Sequence, residues 1–306
     1  MTVSKKKPSL ESTLKSADTE EPIDLIFYRP IGYQWALLFK KMGVHPNTVT
    51  IASIFLGVAA GVFFYFDNIY YNIVGMLLLI WANSYDSADG QLARMTGQKS
   101  RIGRILDGIA GDFWFVSIYA AICLRLMPEW GYWIWILAAV AGYFHSKQAA
   151  MADYYRNIHL FFLKGEAGSE LDSSIQQQAM YESLPWKGNV GMKIYHYGYG
   201  KYTASQEKWS SWFQRFFALT HEMYGDQIPP QLAVEFRQAS KPLMKYTNIL
   251  SFNTRVIVLF ISLFLNLPWI YFIFELTILN GLLIYMISKH ESLSKKLYNQ
   301  VMSGEF

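Results

Sequence analysis

The sequence is short of charge, of cysteine and of paired histidines. Only 16% of its 306 residues are charged, where soluble domains carry about 25%. A hydrophobic share of 52%, an aromatic share of 17% and a mean hydropathy of +0.13 indicate a chain that crosses a membrane several times. The net charge of +4 is too mild for a nucleic-acid binder. A single cysteine, Cys123, lies in an apolar stretch and excludes a disulfide framework and a Cys-ligated metal. The six histidines (His45, His145, His159, His196, His221 and His290) never pair at i+3 or i+4, which argues against a helical zinc site. Neither a glycine-rich phosphate loop leading into a helix nor a Gly-x-Ser-x-Gly elbow is found.

What the sequence does contain is a cluster of carboxylates where apolar residues would be expected. The run Met76–Trp81 is followed by Asp86 and Asp89, then Gly90, Ala93 and Arg94. An ionised Asp in hydrocarbon costs about 2.5–3.5 kcal/mol on insertion scales. Two of them at i and i+3 share a helix face and repel each other. A divalent cation offsets that cost, because a hard cation prefers carboxylate oxygen. Past a polar loop at 95–100 an apolar helix begins near Gly103 and carries Asp107 and Asp112. Two helices presenting carboxylates at one membrane face make a metal cage. Gly90 and Ala93 leave room for a ligand to approach the backbone, and Arg94 offers a fork suited to phosphate.

Asp86, Asp89, Gly90, Ala93, Arg94, Gly103 and Asp107 fall on the pattern D-x2-D-G-x2-A-R-x8-G-x3-D-x3-D. The chain therefore resembles the CDP-alcohol phosphotransferases. The last position departs: residue 111 is Gly111, and the carboxylate follows at Asp112. One extra residue turns a side chain about 100° round an ideal helix, which a single-turn π-bulge would absorb. The resemblance implies transfer of a phospho-alcohol group from a CDP-alcohol to an acceptor hydroxyl with release of CMP. It also implies Mg²⁺ or Mn²⁺ on Asp86, Asp89, Asp107 and Asp112, and Asp112 as the general base. It puts the CDP group against Gly90, Ala93 and Arg94, with Asn47 and Thr50 of the family's Pro-Asn-x-x-Thr element alongside, and implies a homodimer.

In chain order, residues 1–22 read as a disordered cytosolic tail with Lys5, Lys6 and Lys7 but no apolar signal core. Residues 22–43 read as one amphipathic helix lying on the membrane, with Ile31, Trp35, Leu38 and Met42 on one stripe. Pro46 breaks it and Asn47 is placed to cap the next helix. The fold expected is all-α and polytopic. Its six transmembrane helices lie near 48–66, 73–92, 103–126, 131–150, 249–266 and 269–288, behind that juxtamembrane helix. Lys40, Lys41, Arg94, Lys99, Arg101, Arg104, Lys289, Lys295 and Lys296 fall at one side, and only Arg125 at the other. Both termini and the Asp cluster are therefore expected to face the cytosol, with a bacterial inner membrane as the setting. The domain reading is a tail (1–22), a catalytic block (23–150), an aromatic-rich insert (151–245) and a closing pair of helices with tail (246–306). In the insert, Thr203-x-x-Gln206 reads as a capping box, opening a helix that ends at Gly225. That helix carries Trp209, Trp212, Phe213, Phe216, Phe217 and Met223 on one stripe, to pack against the protein or to gather lipid.

The acceptor is read from cations near the cytosolic helix ends: Lys147, Arg156, Lys245 and Arg255. Convergence of these favours a phosphorylated acceptor, inositol phosphate or glycerol phosphate, with CDP-diacylglycerol as donor and membrane lipid as surroundings. Two alternatives stay open. One is a CDP-choline or CDP-ethanolamine donor with a lipid hydroxyl acceptor. The other is a divalent-cation transporter, which would place its acids near the midplane on broken helices.

Overall fold

The structure is a computed structural model. It describes residues 10, 16–98, 100–225 and 227–306, with the side chains of Arg101, Ile102 and Ala167 set aside. Most of the tail expected over 1–22, including Lys5, Lys6 and Lys7, lies outside the described residues, as does Lys99. The described residues contain helices and no strand.

The chain divides into two compact units, residues 1–144 with 253–276, and residues 145–252 with 277–306. The first holds the Asp cluster. It opens with a π-helical turn, Asp24–Tyr28, which runs into α1 (Arg29–Met42) and stops at Gly43 in the left-handed region. The amphipathic helix expected here is present, and its Leu38 and Met42 are exposed. Next come α2 (Pro46–Phe64), α3 (Ile69–Thr96) and α4 (Arg101–Trp130). Pro46 occupies the first turn of α2, where its missing N–H is no loss. The cap is His45, whose Nδ1 accepts from the Asn47 N–H. Asn47 therefore sits inside the helix and is not its cap.

Small residues bring α2 against its neighbours. A Cβ at Gly57 would overlap the Trp114 ring of α4, and one at Gly61 would overlap Ser117. At the end away from the Asp cluster, Arg125 of α4 ties two connections together, the one from α2 to α3 and the turn at Asn266. Its guanidinium donates to the Phe64 carbonyl at 3.3 Å, to Asp67 at 2.6 Å and to Asn266 at 2.6 Å. The first unit is completed by α11 (Phe252–Phe264) and α12 (Trp269–Phe274), which leads into a second π-helical segment, Glu275–Leu279.

The second unit takes up α5 (Trp133–Lys164) from His145 onward, a single helix that runs through the expected boundary at residue 150. It adds α6 (Ser174–Ser183), α7 (Val190–Trp209), α8 (Ser211–Tyr224), α9 (Pro230–Ser240), α10 (Met244–Ile249) and α13 (Asn280–Met302). Thr203 and Gln206 do not open a helix. They lie buried inside α7, where Gln206 donates to the Ala150 carbonyl at 2.8 Å. The orphan N–H groups of α8 are met instead by Glu291, which accepts from Trp212 at 2.7 Å and Phe213 at 3.3 Å. As expected, α8 ends at Gly225, with Phe213 and Phe216 buried and Phe216 stacked on Phe236.

Among the described residues, four helical stretches are long and apolar enough to cross a membrane: Pro46–Phe64, Gly103–Trp130, Pro230–Phe264 and Trp269–Met302. Helices α3 and α5 have the length, at 28 and 32 residues, but interleave polar side chains. Phe55, Leu77, Val116 and Ile284 are each more than 60% exposed, as lipid-facing side chains are. The protein is an all-α polytopic integral membrane protein.

Candidate active site

Asp86 and Asp89 lie one turn apart on the polar half of α3, and Asp107 lies near the start of α4. The turn between these helices fixes their meeting. Gly97 ends α3 in the left-handed region, which a Cβ would disfavour. Ser100 then caps α4, its Oγ accepting from the Gly103 N–H at 2.9 Å. Gly103 is needed where it stands, since a Cβ would come 2.8 Å from Asn47 Oδ1 and 3.0 Å from Ser100 Oγ. The result brings one carboxylate oxygen each from Asp86, Asp89 and Asp107 within 4.8 Å of one another. Burial is graded across the three: Asp89 is buried, Asp86 half-buried and Asp107 exposed.

From α2, Thr50 Oγ1 donates to Asp89 Oδ2 at 2.5 Å and also contacts the Pro46 carbonyl at 3.3 Å. Thr50 thus holds the most buried carboxylate in one orientation. Three anionic groups this close repel unless a cation lies among them. The donor set is all carboxylate oxygen, with a hydroxyl behind it, which suits Mg²⁺ or Mn²⁺ and not a soft metal. The residues present therefore fit the divalent cation that the motif implies.

Beside them, the Arg94 guanidinium folds against Gly90, where a Cβ would lie 3.4 Å from Nη1. Arg94 Nε is buried with no hydrogen-bond partner among the described residues. Burial lowers the pKa of this guanidinium from its usual value and Arg29 adds to that, while Glu20, Asp107 and Asp89 oppose it. Ala93 is half-buried one residue earlier.

The structure does not gather every expected residue. Asp112 is exposed and stands outside the group of three. The expected π-bulge is absent: α4 is regular α-helix through this stretch, and the π segments lie at Asp24–Tyr28 and Glu275–Leu279. Five residues of regular helix carry Asp112 about 140° round the axis from Asp107. The cations expected at the acceptor side are engaged by other side chains. Arg255, 1% exposed, pairs with the buried Glu275 at 2.8 Å. In the second unit, Lys147 donates to Ser205 at 2.5 Å, Arg156 donates to Ser251 at 2.7 Å, and Lys245 lies over the Tyr246 ring. Sequence reasoning placed Thr50 on the nucleotide and missed its bond to Asp89.

Comparison with known proteins bears on the same stretch. Residues 43–158 match the family model described as CDP-alcohol phosphatidyltransferase. The chain is 27% identical over 97 residues to the bifunctional IPC transferase and DIPP synthase of Aquifex aeolicus, covering 32% of this chain and 22% of that protein. It is 30% identical over 113 residues to the archaetidylinositol phosphate synthase of Pyrococcus horikoshii, covering 37% of this chain and 57% of that one. The matches thus span from about a fifth to somewhat over half of these relatives. No solved structure matches the chain.

Proposed function

We propose, from the match of residues 43–158 to the CDP-alcohol phosphatidyltransferase family model, that the protein transfers a phosphatidyl-type group from a CDP-linked lipid alcohol to the hydroxyl of a phosphorylated acceptor. The observation that carries the reading is the meeting of Asp86, Asp89 and Asp107 beside Arg94. In the reaction an acceptor oxygen bonds to the lipid-side phosphorus, the bond from that phosphorus to the CMP oxygen breaks, and CMP leaves. Asp86, Asp89 and Asp107 hold the divalent cation, which when bound neutralises phosphate charge. Thr50 orients Asp89, and Arg94 with the open backbone at Gly90 receives the nucleotide phosphates, Asn47 lying alongside. The acceptor proton passes to a carboxylate of α4. We assign it to Asp112, with Asp107, the exposed member of the three, as the competing outcome.

CDP-diacylglycerol is the donor in this reading and inositol phosphate the acceptor. The printed name of the Pyrococcus relative supports the acceptor. Of the four acceptor-side cations, Arg255 fits better as an internal ion pair with Glu275. Six spans, a homodimer, a bacterial inner membrane and cytosolic termini belong to the same proposal. The bias of Lys and Arg toward the Asp-cluster side, with Arg125 alone at the far end, supports that orientation.

The test is CMP release from CDP-diacylglycerol by the purified protein with Mg²⁺, against inositol, inositol phosphate, glycerol phosphate and serine. Asp89→Asn and Asp112→Asn are run beside it. Turnover with inositol phosphate, lost in both variants, is the expected result. Loss only in Asp89→Asn moves the base to Asp107. Release only from CDP-choline or CDP-ethanolamine overturns the donor. No release from any donor, with cation flux in vesicles, overturns the enzyme reading.

A further inference from the structure

One exposed face of the second unit changes character along its length. Ile278, Gly281, Tyr285, Ser288 and Ser292 recur at intervals of three and four, from the second π-helical segment into α13, and all five are exposed. That spacing keeps them on one stripe. Ile284 and Lys289 flank the stripe and are exposed as well. As far as Tyr285 the stripe is apolar, with a glycine in its middle. A Cβ at Gly281 would meet open space, so the backbone there forms the floor of a notch between Ile278 and Tyr285. From Ser288 onward the face is serine and lysine. A helix passing from hydrocarbon to water changes in this way, with an aromatic ring at the boundary.

A second helix joins at that boundary. Tyr246 of α10 meets Tyr285 edge-on, with ring centroids 5.1 Å apart. Each ring carries a lysine: Lys245 Nζ lies 4.9 Å from the Tyr246 centroid and Lys289 Nζ 5.3 Å from the Tyr285 centroid. The rings steady the lysines by cation–π contact but remove none of their charge. Neither lysine pairs with a carboxylate among the described residues. Glu291, two residues beyond Lys289, is committed to the N–H groups that open α8. Two ammonium groups are thus gathered on one aromatic pair with their charge uncompensated, directly above an apolar notch. A soluble anion would match the lysines and leave the notch bare. A second copy meeting this face through its own would set lysine against lysine. An occupant that matches both halves is apolar along one end and anionic at the other.

We propose that this face is a binding site for an anionic phospholipid of the surrounding membrane, with its phosphate held by Lys245 and Lys289 and an acyl chain lying in the notch at Gly281. The site is separate from the Asp cluster, which belongs to the first unit. Each lysine at a membrane surface changes the affinity for an anionic lipid by roughly fivefold.

The test is photo-labelling of the full-length protein in vesicles of phosphatidylcholine with a minor share of phosphatidylglycerol. The probe is a trace of phosphatidylglycerol with a photoreactive group on its acyl chain. Phosphatidylcholine with the same group is the control, and labelled residues are located by mass spectrometry. Phosphatidylglycerol label is expected on residues 278–285, well above the control. Lys245→Gln and Lys289→Gln should each lower it roughly fivefold, and the double variant roughly twentyfold, with the control label unchanged. Gly281→Leu fills the notch and keeps both lysines, and should lower the label from both lipids. Label within twofold of the parent in the double variant overturns the proposal. So does equal labelling by the two lipids in the parent, or a parent face that takes no label because another chain covers it. Loss of label on adding free inositol phosphate or glycerol phosphate also overturns it, and assigns the lysines to a soluble phosphate. If the double variant fails to fold, salt decides in the parent. The excess of phosphatidylglycerol label should shrink at high ionic strength, and an excess that salt leaves unchanged overturns the proposal. No turnover is read, so the outcome stands apart from the transferase reading.

Discussion

Replacing Thr50 by valine keeps the shape of the side chain and removes the hydroxyl that donates to Asp89 at 2.5 Å. Asp89 is only 4% exposed, so water cannot readily take the place of the lost donor. A hydrogen bond to a charged group contributes about 1.5–3 kcal/mol. When it orients a metal ligand, its loss costs roughly tenfold to a hundredfold in metal affinity, or about 1.4–2.7 kcal/mol. Manganese binding to the purified protein, followed by the loss of the free-ion paramagnetic resonance signal, reads this directly. Thr50→Val is expected to raise the Mn²⁺ Kd within that range. Thr50→Ser, which keeps the hydroxyl, should stay near the parent. Asp89→Asn should abolish binding. A Thr50→Val Kd within twofold of the parent, with Asp89→Asn binding lost, would refute the claim that this hydroxyl positions the ligand.

Three further outcomes follow from the packing and the cation site. Breaking the Arg255–Glu275 pair, whose side chains are 1% and 0% exposed, by Arg255→Met alone should cost about 3–5 kcal/mol, since it strands a buried charge. Removing both partners together should cost less, as measured by denaturation in detergent. Gly57→Ala places a Cβ onto the Trp114 ring and should lower stability by about 1–3 kcal/mol, seen as a lower melting temperature. Saturating Mn²⁺ should raise the melting temperature of the parent, equivalent to about 2.7 kcal/mol at a hundredfold over Kd. Asp86→Asn with Asp89→Asn should remove that shift.

The parts of the fold set by local pattern were legible in the sequence. The helix ending at Gly43, the helix ending at Gly225 and the carboxylates at i and i+3 all follow from short-range rules. So does the return of Asp107, because the loop between α3 and α4 is too short to send it elsewhere. What was missed depends on partners far along the chain. Thr203 and Gln206 have the spacing of a capping box, but Gln206 bonds Ala150, 56 positions away. The true partner at the start of α8 is Glu291, 79 positions from Trp212. Arg255 looked like a substrate cation because Glu275 stands 20 residues later, beyond any local window. The shift at Asp112 was visible, but spacing cannot say whether a helix bulges to absorb an extra residue or stays regular. Here it stays regular.

The bonds of Arg125 also set an order of events during synthesis. Asp67 precedes Arg125 by 58 positions, so that bond is available as soon as α4 has emerged. Asn266 follows it by 141 positions. A ribosome must therefore add α5 through α11 before the last bond can form. Until then Arg125 joins α4 to the connection between α2 and α3 and to Asn72 in the first turn of α3. The three early helices can assemble as a half-closed subassembly, and arrival of the turn carrying Asn266 closes it. A nascent chain halted short of residue 266 would stop at that half-closed stage.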